Sequence, residues 1–299
     1  MSSSLSNNNS PARGEPLLGA SFVRELEALR RRLEIRARSG ASGEHIAKRR
    51  GGSAEFHEHR SYEPGDDMRR IDWAAYARTG EPVLKLFRAE EDVVVRLVCD
   101  ASASMEDKLD VARRMSAAIG YMALAGSERA QVLVAGEGLV RQHQPSRGRD
   151  GLGGFLRHLG ALQARGKTDL ARAIDAVVER AGRPGMLVVV SDFFDPGPLT
   201  RALGRAVQAG HDAALVQVVT PDEIEPSLEG DFELEDAETG ARVEVTMDAA
   251  ALQAYVLRFA GLCEELRRFA RRHAAIYVRV RTDEPLEPVV RRFVSRSVD

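Results

Sequence analysis

The sequence predicts an α/β protein, a doubly wound and mostly parallel sheet preceded by a small N-terminal α+β module. Short β-branched runs such as Asp92 to Cys99 (DVVVRLVC) and Met186 to Val190 (MLVVV) lack the polar alternation of a half-exposed strand, and so suit strands buried on both faces. Between such runs lie stretches with helical spacing, and strands that alternate with helices build a parallel sheet covered on both sides. At 299 residues the chain has room for one large domain and an appendage.

In chain order, Met1 to Pro16 is rich in Ser and Asn and reads as a disordered lead, residues 1–16. Leu17, Leu18, Phe22, Leu26, Leu29, Leu33 and Ile35 recur at helical spacing among Arg and Glu, which predicts an amphipathic helix from Leu17 to Ala37. Ser39 to Gly52 is a basic, Gly-rich connection. Its Lys48, Arg49 and Arg50, with Arg30, Arg31, Arg32, Arg36 and Arg38, read as a solvated charge run rather than a phosphate-binding patch. Residues 17–91 are thus expected to form the leading module and residues 92–299 the main domain.

In the main domain, strands are predicted at Asp92 to Cys99, Ala130 to Ala135, Leu139 to Gln144 on the edge, Met186 to Val190, Ala213 to Val219 and Ile276 to Arg281. Helices are predicted at Leu109 to Leu124, Gly151 to Leu162, Asp169 to Arg180, Leu199 to Ala209 and Met247 to His273. Asp231 to Thr246 reads as a hairpin turning at Thr239 and Gly240.

A net charge of −2 removes the general electrostatic argument for nucleic acid or an anionic membrane as partner. Cys99 and Cys263 are the two cysteines, and neither has a second Cys at metal or redox spacing, so both read as buried thiols in a reducing compartment. No stretch has signal-peptide character, and none offers the uncharged apolar length of a membrane helix. A cytoplasmic protein without a membrane span is expected.

In an open α/β sheet, ligands gather where loops leave the carboxyl ends of strands. After the first strand comes Asp100-Ala101-Ser102-Ala103-Ser104, a carboxylate and two hydroxyls on alternate positions of one loop. Asp192 follows the strand ending at Val190, and Thr168 lies in a loop that opens a helix. Two carboxylates and three hydroxyls, with no His or Cys, form a hard oxygen set suited to Mg²⁺ or Mn²⁺. An Asp-x-Ser-x-Ser run alone could equally be a helix cap. Asp169 and Asp195 read as cap or loop residues. An Asp100 substitution at a strand end is expected to spare the fold.

This set resembles the metal-ion-dependent adhesion site of von Willebrand factor A domains, whose pattern is Asp-x-Ser-x-Ser, then a Thr, then an Asp. The resemblance implies a von Willebrand A-like (Rossmann-like) sheet. It implies that Ser102, Ser104 and Thr168 ligate the ion directly, that Asp100 and Asp192 hold it directly or through water, and that a partner protein donates the last carboxylate.

The leading module carries a second signature, Arg60-Ser61-Tyr62-Glu63-Pro64-Gly65-Asp66-Asp67-Met68-Arg69-Arg70-Ile71-Asp72-Trp73. Pro64-Gly65 predicts a tight turn, Asp66 or Asp67 a helix cap, and Trp73 a large buried apolar surface. Arg69, Arg70, Asp72 and Arg78 suit an ion-pair network inside the module better than a docking surface. His57 and His59 alternate beside Glu55, a weak metal pattern without further ligands. The string is similar to the signature of the bacterial and archaeal family called domain of unknown function 58, in which it precedes a von Willebrand A-like domain. That resemblance implies a partner among MoxR-type AAA+ ATPases and a role in assembling or maturing protein complexes.

Three catalytic readings compete. Gly160 to Thr168 ends in Gly-Lys-Thr, but five residues separate its glycines where a phosphate loop has four. No Gly-x-Ser-x-Gly elbow supports a serine hydrolase. A Mg²⁺-dependent phosphohydrolase using Asp100 as nucleophile is the stronger rival, although Ser102 stands where that class carries a second acid. The sequence reads as an interaction protein without its own catalytic centre.

Overall fold

The computed structural model describes residues 17–30, 54–64, 66–89, 93–126, 128–136, 139–180, 183–194, 196–227, 230–238 and 240–296. The chain divides into two compact units, one drawn from residues 1–39 and 93–299 and one from residues 40–92. In chain order the elements begin with α1 (Ala20–Arg30), β1 (Ala54–Ser61), α2 (Trp73–Thr79) and β2 (Val83–Ala89). There follow β3 (Val94–Asp100), α3 (Leu109–Ala125), β4 (Arg129–Gly136), β5 (Leu139–Gln142), β6 (Ser146–Arg147), α4 (Leu152–Gly160) and α5 (Leu170–Arg180). Then come β7 (Met186–Ser191), α6 (Pro196–Gln208), β8 (Asp212–Val219), α7 (Pro221–Ile224), β9 (Gly230–Glu235), β10 (Arg242–Met247), α8 (Ala249–His273), β11 (Ile276–Arg281) and α9 (Leu286–Arg296).

The main sheet of the larger unit runs in the order β11-β8-β7-β3-β4-β5, with β6 also paired to β4, and β9 and β10 form a separate antiparallel ribbon. All pairings from β11 to β4 are parallel, and β5 and β6 run antiparallel at the edge. Strand parity explains why the apolar runs are continuous. Val95, Leu97 and Cys99 of β3 join Val188, Val190, Val216 and Val218 in a core beneath α1, α3, α4 and α9. Val98, Leu187, Val189, Ala213 and Leu215 point to the opposite core, beneath α5, α6 and α8. A side-chain period of two with both faces covered leaves little room for polar side chains inside the strands, and the buried Arg96 of β3 and Gln217 of β8 donate to Arg183 O and Asp192 O.

Helix α3 lies deep in the first core and is buried around most of its surface. Its Gly120 is needed for this, because the Phe155 ring of α4 occupies the space a Cβ would take. The predicted leading helix is observed over Ala20–Arg30, and residues 31–37 lie outside the described residues. Leu18, Phe22, Leu26 and Leu29 are buried in the first core, so this helix belongs to the larger unit. The expected module boundary at residue 17 is corrected accordingly, because the apolar stripe of α1 finds its partner surface on α3 and α9. Sequence analysis left α9 unassigned, although Leu286, Val289, Val290, Phe293 and Val294 form a helical stripe.

The smaller unit is an antiparallel ribbon, β1 with β2, and the short helix α2. Asp66 accepts two hydrogen bonds from Arg60 at 2.7 Å, and its amide closes the turn onto Glu63 O. Asp67 caps the turn Met68–Arg70. Asp72 caps α2 through the amides of Ala74 and Ala75 while contacting His59 Nε2 at 2.9 Å. The expected burial of Trp73 is corrected, since its side chain is 60% exposed and meets Tyr76 edge to face. Trp73 opens α2 on the side away from Ala75, which takes the buried position. The basic connection from Ser39 and the side chain of His57 lie outside the described residues.

Candidate metal centre at the carboxyl edge of the sheet

Neighbouring strands β3 and β7 send their following helices to opposite faces, α3 to one core and α6 to the other. Their loops therefore diverge and leave a crevice at the carboxyl end of the sheet. Asp100, the last residue of β3, accepts hydrogen bonds from the amide of Ser102 at 2.9 Å and from Ser191 Oγ at 2.6 Å. Ser191 ends β7, so this carboxylate ties the two central strand ends together. Ser191 Oγ in turn accepts from the amide of Phe193. Phe193 is buried with φ of 59°, a left-handed conformation that costs a non-glycine residue about 1 kcal/mol or more. The strained turn holds Asp192 between Ser191 and Phe193.

Asp192 Oδ2 accepts from Ser104 Oγ at 3.0 Å and from Lys108 Nζ at 2.7 Å. Ser104 has one hydroxyl proton, and it is committed to Asp192. The 3.0 Å contact between Ser102 Oγ and Ser104 Oγ is therefore donated by Ser102. Thr168 Oγ1 donates to Ala135 O at 2.6 Å, the same carbonyl that receives the amide of Ala101. Its loop is fastened to the Asp100 loop by Ala103 N to Gly166 O and Arg165 N to Ala101 O, both 2.9 Å. Four of the five expected residues thus form one hydrogen-bonded chain across the crevice, and Thr168 is anchored beside it through Ala135.

The donor chemistry fits a hard divalent cation. Ser104 and Thr168 turn their protons to a carboxylate and a carbonyl, and a hydroxyl in that state keeps an oxygen lone pair for a metal. Among the described residues no three His, Cys, Asp or Glu side chains gather closely enough to hold a metal between them. A cation here would be held by hydroxyls and the two aspartates. Burial pushes the Asp100 pKa up, against the hydrogen bonds from Ser191 and Ser102, and the charge of Asp192 adds to the rise. Burial works to lower the Lys108 pKa, but Asp192 and Glu223 overcome it and raise the ammonium above its ordinary value. Lys108 Nζ lies 2.6 Å from Glu223 Oε1, so one ammonium faces two carboxylates in addition to the nearby Asp100. The surplus is negative.

Sequence reasoning missed Lys108, Ser191 and Glu223. Thr220 to Glu223 is a legible capping box, and Glu223 Oε2 does accept from the Thr220 amide, but its other oxygen reaches Lys108. Nothing in the sequence marks Lys108, which reads as an ordinary basic residue at a helix start. Asp169 is a cap, accepting from the Arg172 amide. Asp195 lies outside the described residues. The Gly-Lys-Thr segment follows helix α4 rather than a strand. The expectation that an Asp100 substitution spares the fold is corrected, because Asp100 is 3% exposed and two donors would lose their acceptor.

An Asp-x-Ser-x-Ser loop at the switch point of a doubly wound sheet, facing an Asp at the next strand's end, defines a von Willebrand A-like domain. The chain belongs to the family described as "Protein of unknown function DUF58", whose model matches residues 58–261. An uncharacterized protein of Mycobacterium bovis is 34% identical over 263 residues, covering 85% of this chain and 82% of that protein. An uncharacterized protein of Mycobacterium tuberculosis shows the same figures. Among solved structures, the conserved hypothetical protein BatB from Bacteroides thetaiotaomicron is 17% identical. It covers 69% of this chain and 98% of its own, with a TM-score of 0.44. The SpRpn10 VWA domain is 12% identical, covering 69% of this chain and 93% of its own, with a TM-score of 0.38. Among the described residues no helix is long and apolar enough to cross a membrane.

Proposed function

We propose that this protein is an interaction module whose crevice binds Mg²⁺ or Mn²⁺ through Asp100, Ser102, Ser104, Thr168 and Asp192 and uses the ion to take a carboxylate of a partner protein. The observation that carries the reading is the chain Ser102 to Ser104 to Asp192, which crosses from the β3 loop to the β7 loop. It passes the Ser102 proton to Ser104 and the Ser104 proton to the Asp192 carboxylate, and leaves hydroxyl lone pairs free to act as ligands. The partner is, on the family resemblance, a MoxR-type AAA+ ATPase, and the setting is the assembly or maturation of protein complexes in the cytoplasm. A phosphohydrolase using Asp100 fits less well, because both oxygens of that buried carboxylate already accept hydrogen bonds, which blunts a nucleophile.

One observation favours a second reading. Lys108 already supplies a cation to Asp192, so the crevice can be a closed lysine-carboxylate cluster that grips partners without metal. Calorimetric titration of the full chain with Mn²⁺ and Mg²⁺ separates the two. Asp100→Asn is the variant of choice, since its amide oxygen can still accept from Ser102 N and its NH2 can donate to Ser191 Oγ while the charge is lost. On the metal reading the wild type binds one divalent ion and Asp100→Asn weakens it by roughly ten-fold to a hundred-fold. Partner capture from native lysate is then lost in chelator. Absence of divalent binding by the wild type leaves the lysine cluster.

A further inference from the structure

The hairpin β9–β10 stands apart from the main sheet and packs against α8. With a side-chain period of two, Phe232, Leu234, Val243, Val245 and Met247 share one face of the ribbon, and Asp231, Glu233, Glu235, Arg242 and Glu244 share the other. The charged face is braced within itself, where Arg242 pairs with Glu233 and Glu235 and Thr246 bonds Asp231. The apolar face is only partly covered. Phe232, Val245 and Met247 are half-buried, whereas Leu234 is 43% exposed and Val243 59% exposed.

Between this face and α8 lies a cleft of about 510 Å³, a volume within the range of ligand sites. Leu234, Val245 and Met247 line it from the hairpin, and Ala251, Ala254 and Tyr255 line it from α8. The cleft exists because α8 sets small alanines opposite the branched side chains of the ribbon. Asp222, Glu223 and Pro226 complete the wall, and Tyr255 OH ties the helix to them by donating to Glu223 O at 2.8 Å. Leu257, one turn on from Ala254, is 67% exposed. Apolar side chains left open around a cleft mark a surface that meets another molecule.

Charge decides what that molecule is. From Asp222 to Asp248 the sequence carries eleven Asp and Glu against one basic residue, Arg242, in a chain whose net charge is only −2. Lys108 holds Glu223, and Arg258 adds one cation to the cleft wall, but neither cancels the excess. Such a field repels phosphate-bearing surfaces and attracts segments rich in Lys and Arg. The cleft selects, among basic segments, those that carry a bulky apolar side chain to fill it.

We propose that the cleft between the β9–β10 hairpin and α8 is a docking site for a basic amphipathic segment of a partner protein, which seats an apolar side chain against Val245, Met247 and Ala254 and sets its Lys or Arg residues among the hairpin carboxylates. The inference goes beyond the metal reading and stands apart from it, since it needs no ion and uses none of the five crevice residues.

The test is fluorescence anisotropy of the full chain in chelator with a short labelled peptide of Leu and Lys at amphipathic helical spacing. A second peptide with Ser in place of Leu keeps the charge and removes the apolar face. Ala254→Phe fills the cleft from an exposed helix position, and Ala260→Phe, exposed on α8 outside the cleft lining, is its control. Asp222→Asn combined with Glu244→Gln removes two exposed carboxylates. Wild type should bind the Leu/Lys peptide at least roughly ten-fold more tightly than the Ser/Lys peptide, and Ala254→Phe should weaken it by roughly ten-fold while Ala260→Phe does not. The double neutralisation should weaken it about three- to ten-fold at low salt and flatten its salt dependence. Failure of wild type to bind the Leu/Lys peptide overturns the docking site, equal binding of both peptides reduces it to charge alone, and full affinity in Ala254→Phe overturns the cleft as the seat. None of these outcomes touches the Mn²⁺ titration, so the two readings fail separately.

Discussion

Replacing Lys108 by Met keeps much of its aliphatic stem and removes its charge from between Asp192 Oδ2 at 2.7 Å and Glu223 Oε1 at 2.6 Å. The Lys108 side chain is 3% exposed and that of Asp192 5%, so the substitution strands a buried carboxylate. Removing one partner of a buried ion pair costs about 3–5 kcal/mol. Glu223, at 21% exposure, can recruit water once freed, which places the expected loss near the lower end, about 3–4 kcal/mol. Lys108 also lies 5.0 Å from the Phe194 ring, a contact worth about 0.5–1 kcal/mol that disappears with it. A domain of this size loses roughly 2–4 °C of Tm per kcal/mol. Calorimetric unfolding in chelator should therefore show Lys108→Met melting about 6–16 °C below wild type. On the metal reading, Mg²⁺ at a hundred times its Kd returns about 2.7 kcal/mol. A loss in chelator under about 1 kcal/mol, the range of an exposed pair, would refute the view that this ammonium neutralises the crevice.

Other perturbations test the frame around the site. Leu26→Ala should destabilise the full chain by about 2–5 kcal/mol in urea unfolding, because Leu26 is fully buried in the core shared with α3 and α9; a loss below about 0.5 kcal/mol would return α1 to a loose leader. Burial first, and then Arg96, lowers the pKa of His211, so the folded state keeps this imidazole neutral while the unfolded chain takes up a proton below about pH 6.5. Stability should fall as pH drops through that window, and urea titrations of His211→Gln should show a shallower fall; equal slopes would count against it. The Cys99 thiol is pushed up to about 11 by burial, so its thiolate is scarce at pH 8. Neither Cys99 nor Cys263 should react with iodoacetamide in the native protein, and both should react in urea, as read by mass spectrometry.

The strands and their order of alternation with helices were legible in the sequence because a parallel strand covered on both faces is apolar at nearly every position. The β3 run Val94 to Cys99 and the β7 run Met186 to Val190 say so without help from tertiary context. The convergence of Asp100, Ser102, Ser104 and Asp192 was legible for a related reason. Asp100, Ser102 and Ser104 sit on one loop and Asp192 follows the next buried run, so strand-end position alone puts them on one edge of the sheet.

What escaped depends on which surfaces meet. The stripe of α1 is visible as Phe22, Leu26 and Leu29, but a stripe does not name its partner, and only the packed structure places it on α3 and α9. Trp73 reads as a core residue by its size alone, whereas its position at the start of α2 leaves it exposed. Lys108 carries no local signal of its role, and Glu223 signals only its capping box with Thr220. Each is a charged residue in a polar stretch, indistinguishable by composition from a solvated one. Folding brings Lys108 to Asp192 across a sequence separation of 84 and to Glu223 across one of 115. Local sequence sets the period and the cap, through short-range sterics and hydrogen bonds. The pairing of charges across the crevice is set by the sheet order, which places β7 beside β3.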